Sequence, residues 1–141
     1  MRTANTGRLF YRRETSTAEV TVTKPQVRIG RVYDEPTGQH AMRVLVDRLW
    51  PRGLTKARAA LDEWCKQFAP SLELRRWYGH DPERFTDFRR RYHAELATGE
   101  QAAALAHLRD LAKDHTLILL TASKDTRISE AAVLAELLTD H

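Results

Sequence analysis

The chain has 141 residues, 42% of them hydrophobic, a formal net charge of +4 and a sequence pI near 9.5. That length suits one domain around one core, and no apolar run approaches the ~18 residues that a membrane helix needs. Residues 1–24 hold no apolar stretch of signal-peptide length, and Cys65 is alone, so neither an internal disulfide nor a cysteine metal cluster is possible and a cytoplasmic setting is expected.

In chain order, residues 1–25 read as a weakly ordered, basic N-terminal extension, although Val20 and Val22 alternate with Thr as in a short edge strand. The folded body is expected over residues 26–141. Val27, Ile29 and Val32 mark a first strand, closed by a turn over Asp34–Gly38. Arg43–Leu49 is a second strand, whose run Val44-Leu45-Val46 is apolar without alternation, as in a strand covered on both faces. Trp50-Pro51-Arg52-Gly53 fits a type I turn with Pro second and Gly fourth. Leu61–Cys65 suits either a short strand or a helix.

Helical patterning follows. Pro70-Ser71 opens a short helix to about Tyr78, and Asp81-Pro82 opens the next with Asp81 as N-cap. Phe85, Phe88, Tyr92 and Leu96 form its apolar stripe, and Gly99 is expected to end it. Leu105, Leu108 and Ala112 carry a helix from about Glu100 to Lys113. Thr116–Thr121 is a buried central strand, and a last helix presents Ala131, Leu134, Leu137 and Leu138. The succession predicts an α/β fold: a small, mainly parallel sheet flanked by helices, in a single layered domain.

Two strands give way to charge at their carboxyl ends, which is where open α/β sheets bind ligands. After the first apolar run come Asp47, Arg48, Trp50 and Arg52. An Asp at a strand end can orient guanidinium groups whose remaining donors hold an external anion; the competing reading is an internal ion pair. After Thr121 comes a polar turn with Ser123, Lys124 and Asp125, suited to phosphate or carboxylate, though Ser123 or Asp125 equally serves as a helix cap. These two strands are expected to be adjacent and parallel, which would bring Asp47, Arg48 and Lys124 to one sheet edge.

Ser71 marks a further helix N-terminus, with His80 some turns on. His80 is a candidate proton-transfer group, and it equally suits a helix end. Trp50, Trp64 and Trp77 suit core packing as well as stacking. Phosphate-loop, zinc-peptidase and nucleophile-elbow motifs are missing, and the six histidines are scattered, so neither metal nor cofactor is expected.

Several strings together resemble the YeaO-like family, domain of unknown function 488 (DUF488). They are Val32-Tyr33-Asp34, Arg43-Val-Leu-Val-Asp-Arg-Leu-Trp-Pro-Arg-Gly53, Phe68-Ala-Pro-Ser71, Leu74-Arg75, Trp77–Pro82, Phe88–Tyr92 with Leu96, Thr121–Asp125 and Val133-Leu134. The resemblance spans about Gln26–Leu138. It implies a compact bacterial α/β domain and brings no established reaction. One departure stands out: after Lys-Asp, relatives often carry a His followed by polar residues, where this chain reads Ile128, Ser129 and Glu130.

The leading expectation is a small anionic ligand, phosphate- or carboxylate-bearing, gripped by Arg48 and Arg52, with Asp47 orienting them. Trp50, Ser71, Lys124 and Asp125 would complete the site, and His80 or Asp47 would act if chemistry occurs. The alternative is a nucleic-acid or protein interaction module using the basic tail and Arg84, Arg89, Arg90 and Arg91. A concave pocket at the strand ends favours the first, and a continuous convex basic face the second.

Overall fold

The computed structural model describes residues 26–34, 36 and 41–139. The N-terminal extension with its Val20–Val22 edge strand, and most of the Asp34–Gly38 turn, lie outside the described residues. Four strands, β1 (Val27–Arg31), β2 (Met42–Leu45), β3 (Glu63–Trp64) and β4 (Leu117–Thr121), form one sheet in the order β1-β4-β2-β3. All three pairings are parallel. Helices α1 (Lys56–Ala59), α2 (Leu72–Tyr78), α3 (Phe85–Glu95), α4 (Gly99–Asp114) and α5 (Glu130–Thr139) connect and cover it. Among the described residues, no helix is long and apolar enough to cross a membrane.

The unbroken apolar runs of β2 and β4 follow from burial on both faces. Val44, Val46, Leu117 and Leu119 join the larger core with Phe68, Phe88, Tyr92, Leu108, Leu134 and Leu138 from the helical face. Their neighbours Leu45 and Leu120 point the other way and pack with Val32, Leu54 and Ala59. A strand's side chains alternate between faces, so a strand buried on both sides shows no polar alternation. Arg43 clamps this second layer. Its guanidinium donates to the carbonyl of Ala59 at 2.8 and 3.1 Å and to that of Ala60 at 3.1 Å, tying α1 to the sheet.

β2 and β4 are adjacent and parallel, with Met42 opposite Leu117 and Leu45 opposite Leu120, as expected. β2 is shorter than the apolar run suggests: its ladder continues only through Val46 N–H to the Leu120 carbonyl at 3.1 Å, and the chain then leaves the sheet. The following turn is shifted by one residue. Leu54 N–H donates to the Pro51 carbonyl at 3.3 Å, which places Gly53 third, at φ +75°. A positive φ there is what selects glycine.

Helix α1 is the element that periodicity missed, being too short to show a stripe. Gly99 also has a different role: α3 stops at Glu95, and Gly99, at φ +65°, opens α4. Asp81 caps a single 3₁₀ turn over Pro82–Arg84 that leads into α3. The 3₁₀ turn Thr126–Ile128 separates β4 from α5.

Candidate functional site

The carboxyl ends of β2 and β4 open into a cleft of about 590 Å³, a volume suited to a small molecule. Its walls include the loop after β2 and the face of α2, and its floor holds two carboxyl groups, Asp47 and Glu130.

Asp47 is fixed by β4. One carboxylate oxygen accepts the Thr121 hydroxyl at 2.8 Å, and the other accepts the Ala122 N–H at 2.8 Å. Thr121 is fully buried. The first residues beyond β4 thus spend their donors internally, since Ser123 N–H also donates to Thr121 Oγ1 at 3.1 Å. The polar turn was expected to offer such donors to an anion. It closes on Asp47 and Thr121 instead, because both strand ends are buried and must satisfy their polar groups.

Glu130 opens α5 and completes this cluster. The residue is half-buried, while its carboxyl group lies deep against Asp47 and Thr121 Oγ1, the latter at 3.0 Å. Burial pushes its pKa well up, and the neighbouring Asp47 carboxyl adds to the rise. The hydrogen count agrees. Thr121 has one hydroxyl hydrogen and cannot donate to both carboxyls. With the proton on Glu130, Thr121 donates to Asp47 and its lone pairs accept from Ser123 N–H and Glu130. Every polar atom of the floor then has a partner.

The guanidinium rim is different. Arg48, Arg52, Arg75 and Arg76 all line the cleft. None of the four side chains makes a hydrogen bond, ion pair or ring contact among the described residues, and the Nε of Arg48 is buried with no partner. The pairing of Asp47 with Arg48, expected from their adjacency, is therefore not formed: consecutive residues leaving a strand diverge, and Asp47 turns to β4.

Trp50 also lines the cleft, held by its indole N–H on the Leu54 carbonyl at 2.6 Å and by edge contact with Trp64 at 5.3 Å. The Arg52 carbonyl accepts the Tyr33 hydroxyl at 2.9 Å, which anchors the loop and leaves the guanidinium exposed. His80 stands at the cleft with φ +58°, next to Gly79 at φ +53°, its ring 5.9 Å from that of Tyr78. A non-glycine residue in the left-handed region carries some backbone strain. Tyr78 is buried, donates to the Ile128 carbonyl at 2.6 Å, and has its pKa pushed up to about 12 by burial and then by the Glu130, Asp125 and Asp81 carboxyls.

Three residues named from sequence lie outside the lining. Ser71 caps α2 through Leu74 N–H at 3.1 Å and is held by Glu95, donating through its N–H at 2.8 Å and its hydroxyl at 2.6 Å. Asp125 caps the 3₁₀ turn and pairs with Arg127 at 3.2 Å, hydrogen bonds that hold its carboxyl below its usual range. Lys124 is exposed on the same turn. Asp47, Arg48, Trp50, Arg52 and His80 do share the cleft. Glu130, Arg75 and Arg76 were not found from sequence. Arg75-Arg76 was visible as a pair once α2 was placed, whereas nothing local marked Glu130.

Cys65 is half-buried, with its thiol 2.9 Å from Gln67 Oε1 and its pKa raised first by burial. That environment does not generate a thiolate.

A parallel sheet flanked by helices, with a charged cleft at its strand ends, makes this a small α/β domain. Residues 26–141 match the family described as the inactive DUF488-N3 subclade. An uncharacterised protein of Mycobacterium tuberculosis is 46% identical over 117 residues, covering 83% of this chain and 97% of its own. An uncharacterised protein of Mycobacterium bovis matches to the same extent, and the uncharacterised protein YeaO of Escherichia coli K12 is 45% identical over 108 residues, 77% of this chain and 92% of YeaO. The chain belongs to the YeaO-like DUF488 family. No solved structure matches it.

Proposed function

We propose that this domain binds a small anionic ligand, phosphate- or carboxylate-bearing, in the cleft at the ends of β2 and β4. The observation that carries the reading is the rim: four cleft arginines whose side chains have no partner among the described residues, one with a buried, unsatisfied Nε. Buried polar atoms in folded proteins are nearly always paired, and a guanidinium held beside a cleft supplies a fork of donors for an oxyanion. Arg48 and Arg52 are the grip, and Trp50 and His80 shape the entrance.

Binding without turnover is the form of this reading that fits best. The subclade is described as inactive. The two floor carboxyls meet through Thr121, and among the described residues no carboxylate hydrogen-bonds His80 to orient it for proton transfer.

The convex alternative has less to work with. Arg89 pairs with Glu136 at 2.7 Å and Arg90 with Asp87 at 3.5 Å, while Arg84 and Arg91 stack on Trp77 at 5.2 and 4.2 Å. Exposed pairs are weak, but the face carries its own counter-charges.

The test is a thermal-shift titration with inorganic phosphate, sulfate and acetate on the wild-type chain and on Arg52→Ala. A ligand at about 100 times its Kd stabilises by about 2.7 kcal/mol, an easily measured rise in Tm. Arg52→Ala should remove most of that rise while melting normally without ligand. An equal rise in both proteins would place the anion elsewhere.

A further inference from the structure

We propose that the occupant of the cleft is an organic diphosphate: two linked phosphate-class groups carried on an apolar or aromatic body. This rests on the anion-binding reading above and extends it to a ligand class.

The first argument is charge and its placement. The four guanidinium groups come from two separate elements, Arg48 and Arg52 from the loop after β2, Arg75 and Arg76 from α2. The floor does not pair with them: Asp47 is engaged by the Thr121 hydroxyl and the Ala122 N–H, and Glu130 by Thr121. One carboxylate or one phosphate cannot engage both pairs at full strength, since each bidentate grip needs its own set of oxygens. Two linked anionic groups meet both. Linking also makes the second contact intramolecular, which raises affinity without any new interaction.

The second argument is apolar. Three large apolar side chains are exposed among the described residues: Leu49 (66%), Leu72 (48%) and Ile29 (37%). Leu49 and Leu72 both stand on this cleft, one on each of the two arginine-bearing elements. Single exposed leucines are ordinary, but two exposed leucines lining one charged cleft offer surface for the uncharged part of a ligand.

The experiment is calorimetric titration of the full chain, at constant ionic strength, with inorganic phosphate, inorganic pyrophosphate, ADP and dimethylallyl diphosphate. Pyrophosphate should bind about ten-fold more tightly than phosphate or better. One of the two organic diphosphates should gain a further factor of about three or more over pyrophosphate, and which one does so separates a nucleoside body from an aliphatic one. Arg75→Gln with Arg76→Gln should bring pyrophosphate to within about two-fold of phosphate, because one grip is lost. Arg76→Gln alone, at an exposed position, should move the ratio the same way if the double variant melts early. Leu49→Ser should erase the preference for the organic ligand.

Pyrophosphate no tighter than phosphate, or a ratio untouched by the α2 substitutions, overturns the two-group inference and leaves the single-anion reading intact. Organic diphosphates no tighter than pyrophosphate overturn the apolar body. Failure of every probe to bind at the cleft refutes the anion-binding reading itself.

Discussion

The floor and the rim of the cleft differ in a single respect: the floor is closed on itself, and the rim is open. The side chains of Asp47, Thr121 and Glu130 hydrogen-bond with one another and with the Ala122 and Ser123 N–H groups across two strand ends and a helix start. The side chains of Arg48, Arg52, Arg75 and Arg76, which line the same cleft, make none among the described residues. Charge alone therefore does not distinguish a structural group from one available to a ligand. Its satisfaction does. A paired polar group in a buried position holds the fold, and removing its partner leaves a desolvated orphan; an unpaired guanidinium at an opening costs the fold little and is free to meet an anion.

The comparison breaks most readily at Asp47. Asp47→Ala leaves the Ala122 N–H without an acceptor and removes the Thr121 hydroxyl's partner, so the chain should lose about 1–3 kcal/mol of stability in chemical denaturation. A loss no larger than that of an exposed site would show that the floor does not hold the two strand ends together.

Glu130→Gln comes next, and its sign depends on pH. The folded state raises the pKa of Glu130 above its ordinary 4.5. Its stabilising contribution is therefore complete below pH 4.5 and is lost as pH climbs through the folded value, where the buried carboxyl must ionise beside Asp47. Glutamine resembles the protonated form and has no proton to lose. The Tm difference, variant minus wild type, should be smallest below pH 4.5 and grow as pH rises above it. A difference that shrinks with rising pH would mean that Glu130 is ionised in the folded protein.

The rim variants should be smaller. Because Arg48 has no carboxylate partner among the described residues, Arg48→Ala should change stability by less than about 1 kcal/mol in either direction, with relief of a buried unpaired Nε offsetting lost side-chain packing. It should nonetheless abolish any phosphate-induced rise in Tm. A penalty of about 3–5 kcal/mol, the signature of a broken buried ion pair, would mean that Arg48 belongs with the floor. Arg52→Ala should be the mildest, within about 0.5 kcal/mol in the absence of ligand, since its side chain is exposed and its anchoring contact runs through the main-chain carbonyl.

By itself the sequence determined the fold class, the two doubly buried strands, most of the helices and the family. Unbroken apolar runs and helical stripes are local signatures of burial, and the string from Arg43 to Gly53 is distinctive. It also singled out Asp47, Arg48, Trp50 and Arg52, because charge following a buried run marks a strand's end, and in the fold they line one cleft with His80. Short elements escaped it. Helix α1 has four residues, and the Gly53 and Gly99 roles depend on a φ that no neighbouring residue reveals.

Only the tertiary structure decided which charges meet. Asp47 and Arg48 are neighbours in sequence but part on leaving β2, whereas Asp47 and Ala122, 75 positions apart, share a hydrogen bond because β2 and β4 run side by side. Lys124, Asp125 and Ser71 have the residue types a site would use, yet the turn and caps that hold them lie off the cleft. The burial of Glu130 has no local sequence signal, since it comes from contact with Asp47 and Thr121, which follow and end two different strands. Partnership across a parallel sheet is set by register, and register is a property of the assembled strands.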